Sequence, residues 1–177
     1  MTDPLLKYRE QHKHRLNYMP WLYWSLKPKH REWAEQWQAE YQAYLLEMET
    51  VEIGENCFIS PLAHIFAERG RKISIGDNTF IAADCTLHGP LQIGNEVAIN
   101  HHCILDGGRA GIKLHDQVRI AAYSHLYAFD HGMDLERPIY QQAVTSKGIE
   151  IGQDVWLGAH VGIKDGVNIA DHAVIGM

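Results

Sequence analysis

Several features are missing from this 177-residue chain. No apolar stretch approaches the roughly 20 residues that a membrane-spanning helix requires. The opening Met-Thr-Asp-Pro-Leu-Leu-Lys carries no signal-peptide pattern, so the expectation is a cytoplasmic protein. There is no Lys/Arg-rich run, and 22 acidic against 16 basic residues leave a formal charge of −6. That balance argues against a general nucleic-acid surface. Cysteine is scarce: Cys57, Cys85 and Cys103 are the only three. After residue 50 the chain also lacks the apolar periods of an amphipathic helix or a half-buried strand, near 3.6 and 2 residues.

A six-residue rhythm stands in their place. It is clearest near the end, where Ile151, Leu157, Ile163, Ile169 and Ile175 recur at every sixth position. Four places after the complete starts come Val155, Val161, Val167 and Ala173. Carried back, the rhythm includes Ile53, Ile59 and Ile65, then Ile75, Ile81 and Leu87, then Ile93, Ile99 and Leu105, and then Leu114, Ile120 and Leu126. Second inward residues stand two places before many turns: Val51, Ile73, Leu91, Ile112, Ile149 and Val167. A coil of three short strands per turn fits this period, with the aliphatic residue pointing inward on each face. The three cysteines take the small inward place and read as core residues, not as metal ligands or nucleophiles. Cys85 and Cys103 are 18 residues apart, one turn, and should stack.

Starts Ile75 to Ile93 and Ile151 to Ile169 are 18 apart, while the other turn-to-turn gaps are 22, 21 and 37. Each surplus follows the third hexad of a turn, where the fourth place holds Arg69, Arg109 or Asp130. All three insertions therefore leave from one corner of a triangular prism. The largest, residues 130–148, carries His, Asp, Arg, Tyr and Gln. A loop of this length on a strict repeat points to function.

Residues 1–50 show no hexad and form a helical appendage to the coil of residues 51–177. Over 29–48, Trp33, Trp37, Tyr41, Tyr44, Leu45 and Met48 predict an amphipathic helix packed on the first turn, with Arg31, Glu35, Glu40 and Gln42 on the polar side. A shorter helix is expected over 5–16. Trp21-Leu-Tyr-Trp24 reads as packing between helices; the alternative is a lid or a peripheral foot on a membrane. The rhythm stops mid-hexad at Met177, so either the natural chain continues or something else covers the end.

Residues 51–177 resemble the hexapeptide-repeat acyltransferases, a family that includes galactoside, maltose and polysaccharide O-acetyltransferases. The likeness rests on seventeen hexad starts, on Asp130-His-Gly-Met-Asp with Arg137-Pro-Ile and Gln142, and on Ile149-x-Ile-Gly-x-x-Val-Trp-Leu-Gly-Ala. It implies an all-β, left-handed parallel β-helix; the hand comes from the resemblance alone. It also implies a homotrimer with acetyl-CoA, the acyl donor, in a groove between neighbouring coils. On this reading His131 is the catalytic base. Asn100, Asp106 and Gln142 meet the acceptor, a sugar or glycan hydroxyl. Trp156 lies beside the reacting end of the donor, and Ala159 and Met177 meet its pantetheine arm.

The chemistry suits these residue types. Acyl transfer to a hydroxyl needs a base for the proton and donors for the oxyanion, and an imidazole titrates in the right range. Read without the family, Asn100 and Asp106 are equally good as turn residues, and Trp156 as a large side chain beneath the loop. Two other functions remain in view. A zinc enzyme of the γ-carbonic-anhydrase type needs three close ligands, but His125 and His131 are six extended residues apart, roughly 20 Å. No metal is expected. A non-catalytic assembly module is the third reading.

Overall fold

With one large and one small inward residue in each six, each short strand can bury only a narrow stripe, and the chain satisfies its backbone by stacking turn on turn. The computed structural model describes residues 4–177. The first three residues, part of the opening Met-Thr-Asp-Pro-Leu-Leu-Lys stretch, lie outside the described residues. Three parallel sheets result. Sheet A contains Val51–Ile53, Ile73–Ile75, Leu91–Ile93, Ile112–Leu114, Ile149–Ile151 and Asn168–Ile169. Sheet B contains Phe58–Ile59, Phe80–Ile81, Ala98–Ile99, Arg119–Ile120, Trp156–Leu157 and Val174–Ile175. Sheet C contains His64–Phe66, Thr86–His88, Ile104–Asp106, His125–Tyr127 and Gly162–Lys164. The expected solenoid is present, with about six turns.

The registers pair residues one turn apart, as the hexad spacing requires: Ile75 with Ile93, Ile99 with Ile120, Leu105 with Leu126. These inward residues form one buried column. All three insertions lie between sheets C and A, so the expectation of a single exit corner holds.

The small inward place has a second task. The Sγ–H groups of Cys57, Cys85 and Cys103 donate to the carbonyls of Gly76, Asn100 and Ala121 on the next turn, at 3.0, 3.0 and 3.2 Å. Thr79 and Ser124 do the same with hydroxyls, to Gly94 and Gly158. The cysteines are thus small donors as well as core filling, and all three are free and buried.

The A–B corner is held by a ladder of side chains. Backbone N–H groups of Glu55, Asp77 and Asn95 donate to Asp77, Asn95 and Asp116 of the following turns at 2.7–2.8 Å. The residue before each donor is glycine because the ladder fills the space a Cβ would need. At Gly76 that atom would lie 2.6 Å from both Asn95 Oδ1 and the Gly94 carbonyl carbon.

The helical segment consists of α1 (Pro4–Tyr18) and α2 (Pro28–Met48), joined through a short 3-10 turn at Pro20–Leu22. Helix α2 caps the first turn, where sheet B would otherwise present unpaired backbone. Gln38, buried, accepts from Ile59 N–H at 2.8 Å and donates to its carbonyl at 3.1 Å, while Gln42 donates to Cys57 O at 2.9 Å. The face expected from sequence is therefore rotated. Ala34, Gln38 and Leu45 are buried, and Gln42 turns inward instead of lying on the polar side. Tyr44 and Met48 are exposed. Tyr23 and Trp24 pack on Phe58 and Phe80 of sheet B, so they join the helical segment to the coil and do not merely fill space between helices.

Gly76→Ala should lower stability by about 1–3 kcal/mol, the usual cost of overpacking. Gly176→Ala meets nothing within 4 Å and should leave the melting temperature unchanged or slightly raised. Equal melting temperatures for the two variants would refute the ladder's steric role.

Candidate functional site

The C–A corner has no such ladder, and here the chain adds chemistry. Residues 130–148 leave and return through an antiparallel bridge, Asp130 and Thr145 exchanging N–H to O bonds at 2.9 Å. Lys164, on sheet C, pairs with Asp130 at 3.0 Å. Ser146 accepts from the N–H groups of Arg109 and Ala110 at 3.0 and 2.9 Å and donates to Ala128 O. The buried Asp165 carboxylate receives the N–H groups of Lys147 and Gly148 at 2.8–3.0 Å. The loop base is thus pinned from both neighbouring turns. At its tip, Met133, Leu135, Ile139 and Tyr140 stand exposed.

His131 is the first residue beyond the pinned Asp130, and its imidazole is exposed, with no hydrogen-bond partner among the described residues. Gln142 is turned into the loop itself. Its amide accepts from Asp134 N–H and donates to the carbonyls of Asp134 and Arg137, all at 2.8 Å, so it shapes the segment that follows His131.

Asp106 shares this corner. Its carboxylate accepts from Gly108 N–H at 3.0 Å and lies 3.4 Å from His88 Nδ1 and 3.8 Å from Arg71 Nη2. His88 continues to Glu68 at 3.3 Å, and Arg71 pairs with Glu68 at 3.0 Å. Glu68 is held below the usual carboxylate range, first by its own backbone N–H and then by His88 and Arg71. This network borders a cleft of about 310 Å³ that also meets Arg109, Phe129 and Val144. His88 was missed from sequence, although it stands 18 residues before Asp106 and pairs with it in register.

The remaining candidates lie elsewhere. Asn100 is at the B–C corner, its amide donating to Ile120 O at 2.9 Å. Ala159 and Met177 follow along the same corner. The backbone N–H of Ala159 has no partner among the described residues. Trp156 points outward from sheet B, half exposed at 53%. The reading of Trp156 as a side chain beneath the loop is corrected, since the loop leaves from the C–A corner. Within one chain, then, His131, Asp106 and Gln142 lie on one side of sheet C, and Asn100, Ala159, Met177 and Trp156 on the other. His125 faces outward from sheet C beside Tyr127. Among the described residues, no three His, Cys, Asp or Glu side chains are grouped to hold a metal ion. Burial raises the Cys57 thiol; the neighbouring Cys103 thiol and then burial raise Cys85, whereas Cys103 is lowered by Cys85.

Comparison with known proteins narrows the class. A family model described as the hexapeptide repeat of succinyl-transferase matches residues 148–177. A putative acetyltransferase of Saccharomyces cerevisiae, YJL218W, is 35% identical over 92 residues, 51% of this chain and 45% of that protein. The putative colanic acid biosynthesis acetyltransferase WcaF of Escherichia coli is 26% identical over 157 residues, 88% of this chain and 71% of its own. AntD of Bacillus cereus, an N-acyltransferase solved with dTDP-4-amino-4,6-dideoxyglucose and coenzyme A, superposes with a TM-score of 0.60 at 27% identity. That match covers 76% of this chain and 80% of AntD. The similarity is to hexapeptide-repeat acyltransferases. The chain spans less than half the length of the yeast relative, at 45%.

In this hexapeptide coil the pinned loop base is the part a substitution can test without touching His131. Asp165→Ala leaves two backbone N–H groups unpaired, at about 1–3 kcal/mol each. Limited trypsin digestion should then cut after Lys147 several-fold faster than in the wild type. An unchanged cleavage rate would mean that Asp165 does not hold the loop.

Proposed function

We propose that the chain is a CoA-dependent acyltransferase that moves an acetyl group from acetyl-CoA to a hydroxyl of a sugar or glycan precursor. The observation that carries this reading is the pinned excursion at the C–A corner, which holds an exposed imidazole on a coil similar to acyltransferases. His131 takes the proton as the acceptor oxygen attacks the thioester carbonyl. The C–S bond then breaks, and the leaving thiolate recovers the proton as free CoA. Asp106, oriented by Gly108 N–H and His88, and Gln142, through the loop shape, position the acceptor and the base. No acyl-enzyme forms, since the three thiols are buried and engaged with carbonyls.

The donor belongs on the other side of sheet C. The open N–H of Ala159, with Met177 one turn on, suits an amide-bearing pantetheine arm, and the half-exposed Trp156 indole suits its reacting end. Because these groups and His131 lie on opposite sides of sheet C, the working site forms between copies, in a homotrimer. The apolar loop tip is the kind of exposed patch such an assembly covers. An amine acceptor is the second reading, favoured by the similarity to AntD, an N-acyltransferase.

His131→Ala should lower kcat with acetyl-CoA and its acceptor by about 10²–10⁴-fold, the usual contribution of a positioned base, with melting temperature unchanged. A variant with Cys57, Cys85 and Cys103 all changed to Ser keeps a donor at each site and should keep its activity. Full activity in His131→Ala, or acetyl trapped on a cysteine, would overturn the mechanism. A panel of hydroxyl and amine acceptors decides between the two readings.

A further inference from the structure

The helical segment covers sheet B only over its first three strands. Along the outer face the register runs Phe58, Phe80, Ala98, Arg119, Trp156 and Val174. Phe58, Phe80 and Ala98 are buried under Leu16, Tyr23 and Ala34, whereas the last three are bare. At the boundary a large residue, Phe80, is followed by a small one, Ala98. The step leaves a pocket of about 580 Å³, whose lining includes Trp21, Trp24, Phe80, Ala98, Asn100 and Arg119. That size suits a small organic ligand.

The lining has a definite chemical character. Trp21 and Trp24 lie 6.5 and 6.1 Å from Phe80, centroid to centroid, and Trp21 remains 49% exposed. Packing alone leaves half of a large indole in water, although such rings bring much contact area when covered. The opposite rim is polar but close to neutral. Arg119 donates to the Glu96 carbonyl, and the Glu96 carboxylate receives Gln117 at 2.9 Å. Asn100 uses one amide donor on Ile120 O and keeps its other N–H and its oxygen. One guanidinium beside one carboxylate offers no cationic excess for a phosphate. Paired donors and acceptors facing indole surfaces suit an uncharged polyol, with the C–H face of its ring on the indole and its hydroxyls on Arg119 and Asn100.

We propose that this pocket binds a neutral pyranose ring, with Trp21 as its platform and Arg119 and Asn100 as its hydroxyl partners. That the sugar is the acyl acceptor rests on the acyltransferase reading. The placement agrees with it: Trp156 follows Arg119 in the same outward column. The pocket then gives the N-terminal segment a role in substrate choice.

The test is isothermal calorimetry on the full chain with a panel of methyl hexopyranosides, followed by steady-state kinetics with the best binder. Expected is saturable binding that weakens about tenfold in Trp21→Ala and in Arg119→Ala and is largely restored in Trp21→Phe, at unchanged melting temperature. In turnover, KM for the sugar should rise by a similar factor, while KM for acetyl-CoA stays constant. Absence of binding by every hexoside at millimolar concentration, or equal binding by wild type and Trp21→Ala, overturns the proposal. So does a chain-length-dependent change in KM for acyl-CoA, which would make the pocket an acyl site, or a changed oligomeric mass, which would make it a contact between copies. Sugar binding lost in Trp21→Ala, from a protein with no His131-dependent turnover, would keep the pocket and remove the transferase.

Discussion

Registration of one turn on the next is the constraint on which the rest of the molecule depends. Within the coil each turn bonds its backbone to the turns on either side, so a strand displaced by one residue would carry its inward side chain to the outside. The A–B corner enforces registration most strictly, with Asx side chains passing from turn to turn and glycines making room for them. The inward thiols and hydroxyls tie successive turns together from within. Surplus chain can leave only where no ladder runs. All three insertions are at the C–A corner, and His131, Asp106 and Gln142 gather there without disturbing the coil.

The same constraint explains what could be read from sequence. An inward residue at every sixth place is a periodic signal, and it disclosed the three sheets, their registers and the common exit corner. His131 was legible because the loop that carries it interrupts that period. The cap at the first turn was not legible. Gln38 and Gln42 are ordinary polar residues on a helix until the open backbone of Phe58–Ile59 lies beneath them, and the apolar face inferred from Tyr44 and Met48 was correspondingly rotated. His88 could have been found, since it precedes Asp106 by one turn. The pocket beside Trp21 could not, because it depends on how a non-repetitive segment docks on a repetitive one.

Coil, cap and loop divide the labour. The coil holds a straight column of outward positions whose spacing is set by its strands. The helical segment closes one end and, by stopping at Ala98, leaves an aromatic pocket next to Arg119 and Trp156. The loop carries an imidazole on the far side of sheet C, anchored by Lys164, Ser146 and Asp165. No single copy brings these parts together, and in a symmetric assembly one copy's loop can serve the next copy's pocket.

Subunit complementation tests that arrangement most directly. His131→Ala and Trp156→Ala chains, each inactive alone, are unfolded together in equal amounts and refolded. If the base and the donor site come from different copies, about one quarter of the junctions in randomly mixed trimers are intact, and activity returns to about that fraction of wild type. Mixtures as inactive as their components would show that each copy supplies a whole site, contradicting the account.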